Sequence, residues 1–477
     1  MQSLHPPRAK PQPVVSANAG ENRGLGRILL GVFESLDRAG IPYCVLHGYE
    51  NYPERIKSDV DCMISAKVLP GQLLALLHQN RIRIGADVVH FRHYRGFFIV
   101  LAGKNADGSP CFLQLDLRLD DELGDLQFYK GNDVLRSRCR HNQFWVPAAN
   151  LEFVCYLVRK IVKGTLDEEQ RHRLSNLYQQ DPAGCREQIA RFWGASNTAL
   201  LIAAANSGDW EPVRRNLGPL GAEARRRAFL RRPLQVFGTW LCRIAGRAKR
   251  CFRPDSGLDV VFLGPDGAGK SSVIRALRRE LIGAFPKTKL CSFPPALLRR
   301  LHRHPIGPDK LPHAAPPRSF LASVSRAVLY WFVYHRFGYY VTVHLALASS
   351  TLVVHDRHLV DTLVDPRRYR YAGPAWLLRL IWRLLPKPDL VILLDAPAEV
   401  LQARKQEVPF EETTRQRQAY LSLVGTIRNG HVVDAARPMD QVIGEVNDMI
   451  LRQLTTRIAQ RFGLTPCACS QKQRETE

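Results

Sequence analysis

The stretch Leu258-Asp259-Val260-Val261-Phe262-Leu263-Gly264-Pro265-Asp266-Gly267-Ala268-Gly269-Lys270-Ser271-Ser272 decides the fold of the second half of this chain. Its apolar run, Val260 to Leu263, has the length and composition of a buried strand. The residues from Gly264 fit G-x-x-x-x-G-K-[ST], and Ser272 to Ile282 read as a helix, so the pattern has the strand before and the helix after that a phosphate-binding loop requires. Glycines are needed because the loop must bend tightly and aim successive backbone N–H groups at phosphate oxygens with no Cβ atoms in the way. Gly264, Asp266, Gly267, Ala268, Gly269, Lys270, Ser271 and Ser272 are therefore expected to bind ATP as cofactor. Lys270 would reach the transferring phosphate, Ser271 would hold Mg²⁺ through its hydroxyl, and the positive end of the following helix adds to the anion field.

Downstream, strand-like Lys289–Phe293, a Pro/His/Arg-rich loop and a helix around 322–347 come first. Then follow strand 351–355, helix 376–385, strand 390–394, further helices, strand 431–434 and a closing helix. Such alternation predicts an α/β fold, a parallel sheet with helices on both faces and a site at the strand carboxyl ends.

Upstream, 24–150 reads as mixed α and β, with a helix over 28–36 and strands over 43–46, 60–64, 88–91, 97–101 and 112–117. It carries His47-Gly48-Tyr49, Ser58-Asp59-Val60-Asp61 and Leu115-Asp116-Leu117. Strand residues at i and i+2 face the same side, so Asp59 and Asp61 can converge with Asp116 from a neighbouring strand. Three carboxylates so placed can hold Mg²⁺ and a nucleoside triphosphate. The alternative is that they are solvated strand-face residues, or belong to a domain that binds without reacting.

At 477 residues with 45% hydrophobic content the chain is globular, with two or three domains. The expected boundaries are a disordered N-terminus over 1–22, an α+β domain over 23–150, a helical basic connector over 151–255, a P-loop domain over 256–462 and a flexible tail over 463–477. A net charge of +24, from 68 Lys+Arg against 44 Asp+Glu, points to polyanionic partners: nucleotides, nucleic acid, anionic lipid or a phosphorylated glycan. Charge alone does not choose among them, and no specific nucleic-acid partner is expected. The eleven cysteines lack the paired spacing of a zinc site and read as reduced thiols of a cytoplasmic protein. The N-terminus lacks the apolar core of a signal peptide, and the most apolar long stretch, 327–348, is interrupted by His335 and Arg336, so a buried helix fits better than a bilayer span. Between Arg214 and Arg253, Arg225, Arg226, Arg227, Arg231, Arg232, Arg243, Arg247, Lys249 and Arg250 are interleaved with Phe229, Leu230, Phe237 and Trp240. This segment is either a solvated connector or a surface for an anionic membrane, which would make the protein membrane-peripheral.

From Leu258 to about Arg461 the chain resembles the thymidylate kinase family of P-loop kinases. The matching residues are Asp266 to Ser271 in the loop, Asp356-Arg357-His358 after the third strand, Leu393-Leu394-Asp395 with Arg404 beyond it, and the turn Val433-Asp434-Ala435. The resemblance implies a kinase in which Lys270, Arg357 and one or more of Arg404 and Lys405 surround the moving phosphoryl and Asp356 sits near the metal. It further implies that Asp266 meets an acceptor hydroxyl, Asp434 and Ala435 cradle adenine, and 404–412 forms a lid. The family's Arg-Glu-Pro-Gly-like acceptor segment is replaced here by Ser292-Phe293-Pro294-Pro295, and Asp365-Pro366-Arg367-Arg368-Tyr369-Arg370-Tyr371 offers another grip on an acceptor. The first part resembles the minimal nucleotidyltransferase fold, with Tyr49 where that family has serine after the turn glycine. The combination is similar to bacterial fusion proteins associated with cell-surface polysaccharide synthesis. Three functions are therefore expected as alternatives: a small-molecule kinase, an active nucleotidyltransferase, or a nucleotide-binding adaptor in glycan assembly.

Overall fold

The computed structural model describes residues 19–93, 96–123, 126–231, 257–292, 313 and 316–464. They form two compact units, one from residues between 19 and 231 together with 462–464 and one from residues between 257 and 461.

In the first unit the helix Ala19–Arg38 precedes β1 (Tyr43–Val45), β2 (Val60–Ile64), β3 (Ala86–His93), β4 (Gly96–Lys104) and β5 (Pro110–Arg118). The helix begins at Ala19, inside the stretch expected to be disordered; residues 1–18 of that expectation lie outside the described ones. The sheet order is β1-β2-β5-β4-β3, with β2 and β5 parallel and the other pairs antiparallel. Along β5 burial alternates, Cys111, Leu113, Leu115 and Leu117 turning into the core while Asp116 and Arg118 take the other face. Two short hairpins follow, β6 (Asp120–Leu123) with β7 (Leu126–Lys130) and β8 (Cys139–His141) with β9 (Phe144–Val146).

The helices between Ala149 and Arg231 are not free-standing. Leu151, Phe153, Val154, Leu157, Val158 and Ile161 share one core with Trp193, Trp210, Cys44 and Met63, so this stretch, expected as a connector, packs into the first unit over its described residues. Local chemistry sets the helix limits. Gly164, at φ 71°, ends Ala149–Lys163, and Asp167 caps Glu168–Gln180 by accepting from Gln170 N at 2.9 Å. The basic stretch is described only to Arg231; its remainder lies outside the described residues.

The second unit is built on β10 (Leu258–Leu263), β11 (Lys287–Cys291), β12 (Thr351–His355), β13 (Leu390–Asp395) and β14 (Gly430–Asp434). All pairs are parallel and the order is β11-β12-β10-β13-β14. Every residue of β10 is buried, as expected of the central strand of a parallel sheet. Val261 and Leu263 pack with Val360, Val364, Tyr420 and Val424. Because β10 lies between β12 and β13, chain order reverses beside it, and the crevice at the strand carboxyl ends opens there. The helix expected over 322–347 consists of an α-helix Phe320–Phe332, a π-helix Val333–His344 and a last α-turn Leu345–Ala348. No helix among the described residues is long and apolar enough to cross a membrane.

Candidate active site

The loop after β10 delivers its residues to the start of the helix Lys270–Glu280. Gly264, Gly267 and Gly269 have φ of 141°, 85° and 85°, which side-chain-bearing residues rarely adopt. A Cβ on Gly264 would lie 2.6 Å from the Leu394 carbonyl oxygen, and one on Gly267 would lie 2.7 Å from that of Leu401, so both positions also need the missing side chain for space. Lys270 is 8% exposed and its Nζ donates to the Gly264 and Pro265 carbonyls at 2.6 and 2.9 Å. Burial pushes its ammonium down to about 8, with the Arg357 guanidinium adding to the shift and Asp266, Asp361 and Asp356 opposing it. Ser271 and Ser272 are exposed at the start of the helix. Ala268 is buried and closes the loop with an N–H bond to the Pro265 carbonyl at 3.4 Å.

Asp356 and Arg357 follow β12 directly, at the carboxyl end of the strand neighbouring β10. Asp356 is half-buried and close enough to Lys270 to influence its charge. The Ser271 hydroxyl and the Asp356 carboxylate are hard oxygen donors of the type that suits Mg²⁺. Arg357 turns to Asp266, its Nη2 donating to Oδ1 at 2.8 Å, while Arg368 Nη1 donates to the other carboxylate oxygen. Glu407 completes the group, receiving Arg368 Nη2 at 3.4 Å and Lys405 Nζ at 2.5 Å. Burial disfavours the charged form of Asp266, but the Glu407 hydrogen bond and the nearby Lys270, Arg357 and Arg368 cations hold its carboxyl well below the usual range. Asp361 lies in the same region, buried, accepting from Tyr420 Oη at 2.8 Å and His358 N at 2.7 Å. Burial raises its pKa even though Arg357 pulls it down.

The other arginines expected at an acceptor are placed apart. Arg367 is exposed, and Arg370, at φ 53°, donates from Nε to the Pro316 carbonyl at 2.9 Å. Arg404, expected at the moving phosphoryl, donates from Nη1 to the Ala435 carbonyl at 2.9 Å. The last turn of its helix, Ala398–Arg404, points it to the β14 end of the site. Ala435 N in turn donates to the Asp395 carbonyl at 2.6 Å, and the exposed Asp434 accepts from Ala436 N at 2.9 Å. The Asp395 side chain is held by Arg417 through two bonds of 2.8 and 2.9 Å. The segment 404–412 runs from that helix end into the helix Phe410–Gly425.

Glu407, Asp361 and Arg417 were not singled out from sequence. Glu407 lies inside the stretch expected as a lid, and its ion pair is with Arg368, far from it along the chain.

In the first unit, Asp61 and Asp116 are register partners on the parallel strands β2 and β5. With Asp59 they bring one carboxylate oxygen each within 4.8 Å of one another. Burial, then Asp61 and Asp116, raise the Asp59 pKa, with the Arg118 cation opposing them. Arg118, two residues beyond Asp116 on the same face, donates to Asp61 and, at 3.2 Å, to Asp116 Oδ2. His47 Nε2 lies 3.3 Å from Asp61 Oδ2; burial and the Arg159 and Arg118 charges keep the imidazole neutral. Tyr49 does not face the carboxylates: its hydroxyl donates to buried Glu152 at 2.6 Å, and Glu152 also receives Arg173.

Residues 262–446 match the family model described as Thymidylate kinase. The chain is similar to the thymidylate kinase of Leuconostoc mesenteroides, 26% identical over 211 residues that cover 40% of this chain and 93% of that protein. It is similar also to the thymidylate kinase of Limosilactobacillus fermentum, 28% identical over 213 residues covering 41% of this chain and 95% of that protein. The C-terminal part is thus kinase-like, and the family match lies within the second unit.

Proposed function

We propose that this protein is an ATP-dependent phosphotransferase whose acceptor is a small nucleotide, a sugar or another phosphorylated molecule. The observation that carries the reading is the convergence of Lys270, Asp356 and Arg357 at the carboxyl ends of β10 and β12, beside a loop whose three glycines have positive φ. ATP would lay its phosphates along 264–270, and Mg²⁺ on Ser271 and Asp356 would neutralise charge on the phosphoryl in flight. Lys270 is already aimed across the loop and exchanges the Gly264 and Pro265 carbonyls for phosphate oxygens. Arg357 and Arg368 are the cations able to grip an acceptor, which would compete with Asp266 for them. Arg404 and the Asp434–Ala435 turn would position the base, with the lid around Glu407 excluding water.

The test is release of ADP from ATP·Mg²⁺ by purified full-length protein offered nucleoside monophosphates, sugars and lipid-linked acceptors in turn. Acceptor-dependent ADP that disappears in Lys270→Ala supports the reading; no acceptor-dependent turnover with any class sinks it.

A second reading rests on the first unit. The convergence of Asp59, Asp61 and Asp116 supports a nucleotidyltransferase activity with Mg²⁺ held by these carboxylates. Pyrophosphate release from a nucleoside triphosphate, lost in Asp61→Asn and kept in Lys270→Ala, is the result it requires.

A further inference from the structure

In the second unit three side chains that the phosphotransferase site does not use meet with metal-ligating atoms. His313, Asp365 and Glu412 each bring one such atom within 4.8 Å of the other two. His313 Nε2 lies 2.9 and 3.1 Å from the two Asp365 carboxylate oxygens. Asp365 is buried, and its carboxylate is fixed in direction, because the Arg368 backbone N–H donates to Oδ1 and Gln416 Nε2 donates to Oδ2, both at 3.1 Å. Gln416 Nε2 also donates to Oε1 of Glu412, one helical turn before it, at 3.0 Å, so a single buried amide orients both carboxylates. Arg415 donates to Glu412 through bonds of 2.8 and 2.6 Å, which hold the Glu412 carboxyl below its ordinary pKa and therefore anionic.

We propose that His313, Asp365 and Glu412 bind one divalent transition-metal ion of the zinc type. An imidazole nitrogen with two carboxylates is a donor set that zinc accepts, whereas Mg²⁺ takes oxygen ligands and keeps most of its waters. Ligand atoms around a four-coordinate zinc with bonds of about 2.0–2.1 Å lie about 3.3 Å apart. His313 and Asp365 are thus already near ligand spacing, and Glu412 has only to turn inward. The ion takes neutral imidazole through Nε2, replacing the hydrogen bond between His313 and Asp365, and water fills the fourth position. A plain ion pair of His313 with Asp365 would leave the second carboxylate, and the amide that aligns it with the first, without a part. Arg415, half exposed, is the group that yields, since the metal charge replaces its own on Glu412. Glu412 lies in the first turn of the helix Phe410–Gly425, and Asp365 accepts from Arg368 N, so the ion would tie that helix start to the turn carrying Arg368. The site stands independently of the phosphotransferase reading.

The experiment is equilibrium dialysis of full-length protein against Zn²⁺ in excess Mg²⁺, with Co²⁺ as a spectroscopic substitute. An Asp59→Asn/Asp61→Asn background removes the carboxylates beside His47 from the measurement. One Zn²⁺ per chain is expected, and Co²⁺ should give the visible absorption of a nitrogen- and oxygen-ligated ion. His313→Ala and Glu412→Gln should each weaken Zn²⁺ binding at least tenfold. Arg415→Gln should tighten it by releasing Glu412. These side chains are partly exposed, and an unchanged thermal transition in metal-free buffer verifies the fold of each variant. No bound Zn²⁺, or Zn²⁺ held as tightly in both His313→Ala and Glu412→Gln, overturns the proposal. So does a Co²⁺ spectrum dominated by sulfur charge transfer, which would assign the ion to cysteines.

Discussion

Arg357 donates to Asp266 at 2.8 Å, joining the second residue after β12 to the middle of the phosphate-binding loop. Arg368 takes the second oxygen of the same carboxylate. An anionic ligand of the proposed site would compete with Asp266 for these two guanidinium groups.

Removing the Lys270 ammonium should cost about 1.5–3 kcal/mol of phosphate contact, so Lys270→Ala should bind ATP at least tenfold more weakly by calorimetry. Equal affinity in the two proteins would contradict the assignment.

The same lysine predicts a pH dependence. Its pKa in the free protein is about 8, and a bound triphosphate favours the protonated form, so binding takes up a proton once the free lysine has begun to lose its own. Affinity for ATP should be flat below that pKa and fall by about tenfold between pH 7 and pH 9. Calorimetry in buffers of different ionisation enthalpy should show proton uptake near pH 8, absent in Lys270→Ala.

At the acceptor side, Arg368→Ala removes a charged donor and should raise the acceptor KM with little change in the ATP KM, by about 1.5–3 kcal/mol in kcat/KM. Arg367→Ala, at an exposed position, should change both by much less. Vigorous phosphorylation of thymidylate insensitive to Arg368 would restore an ordinary thymidylate kinase acceptor site.

In the first unit Arg118 sits where a cation would neutralise Asp61 and Asp116. Arg118→Ala should tighten Mn²⁺ binding to full-length protein, followed by electron paramagnetic resonance in the Lys270→Ala background, and Asp61→Asn should weaken it. Unchanged Mn²⁺ binding in Asp61→Asn would dissociate these carboxylates from any metal.

Tyr420→Phe deletes the hydroxyl that donates to buried Asp361 at 2.8 Å and leaves that oxygen short of a partner. Thermal unfolding should register a loss of about 1–3 kcal/mol. The loss should shrink as acid protonates Asp361, whose folded-state pKa is already raised, so the penalty belongs to pH above it.

What could be read in the sequence was what is local. β10 is six consecutive buried residues ahead of a glycine pattern, and β2 and β12 have their expected limits because apolar runs bounded by turns leave little freedom. The meeting of Asp61 and Asp116 followed from strand periodicity plus one parallel pairing. Arg118 obeys the same periodicity, two residues on, but a cation among candidate metal ligands matches no metal-site pattern. Glu407 and Asp361 were out of reach because their meaning lies in partners brought by tertiary structure: Arg368 for the one, Tyr420 for the other. Arg404 was read by its neighbourhood in the chain, whereas the direction in which its helix ends carries it to Ala435. The widening of the helix at Val333–His344 left no spacing signal, since its apolar residues fit an α-helix equally well.

The Leu394 carbonyl lies against Gly264, and the next carbonyl along β13, that of Asp395, accepts Ala435 N. One rigid strand thus fixes the gap between the phosphate loop and the turn proposed for the base. Under the proposed function β13 would act as a ruler: a nucleotide whose base-to-terminal-phosphate length differed from that gap would satisfy one end or the other, so span would contribute to discrimination among mono-, di- and triphosphates.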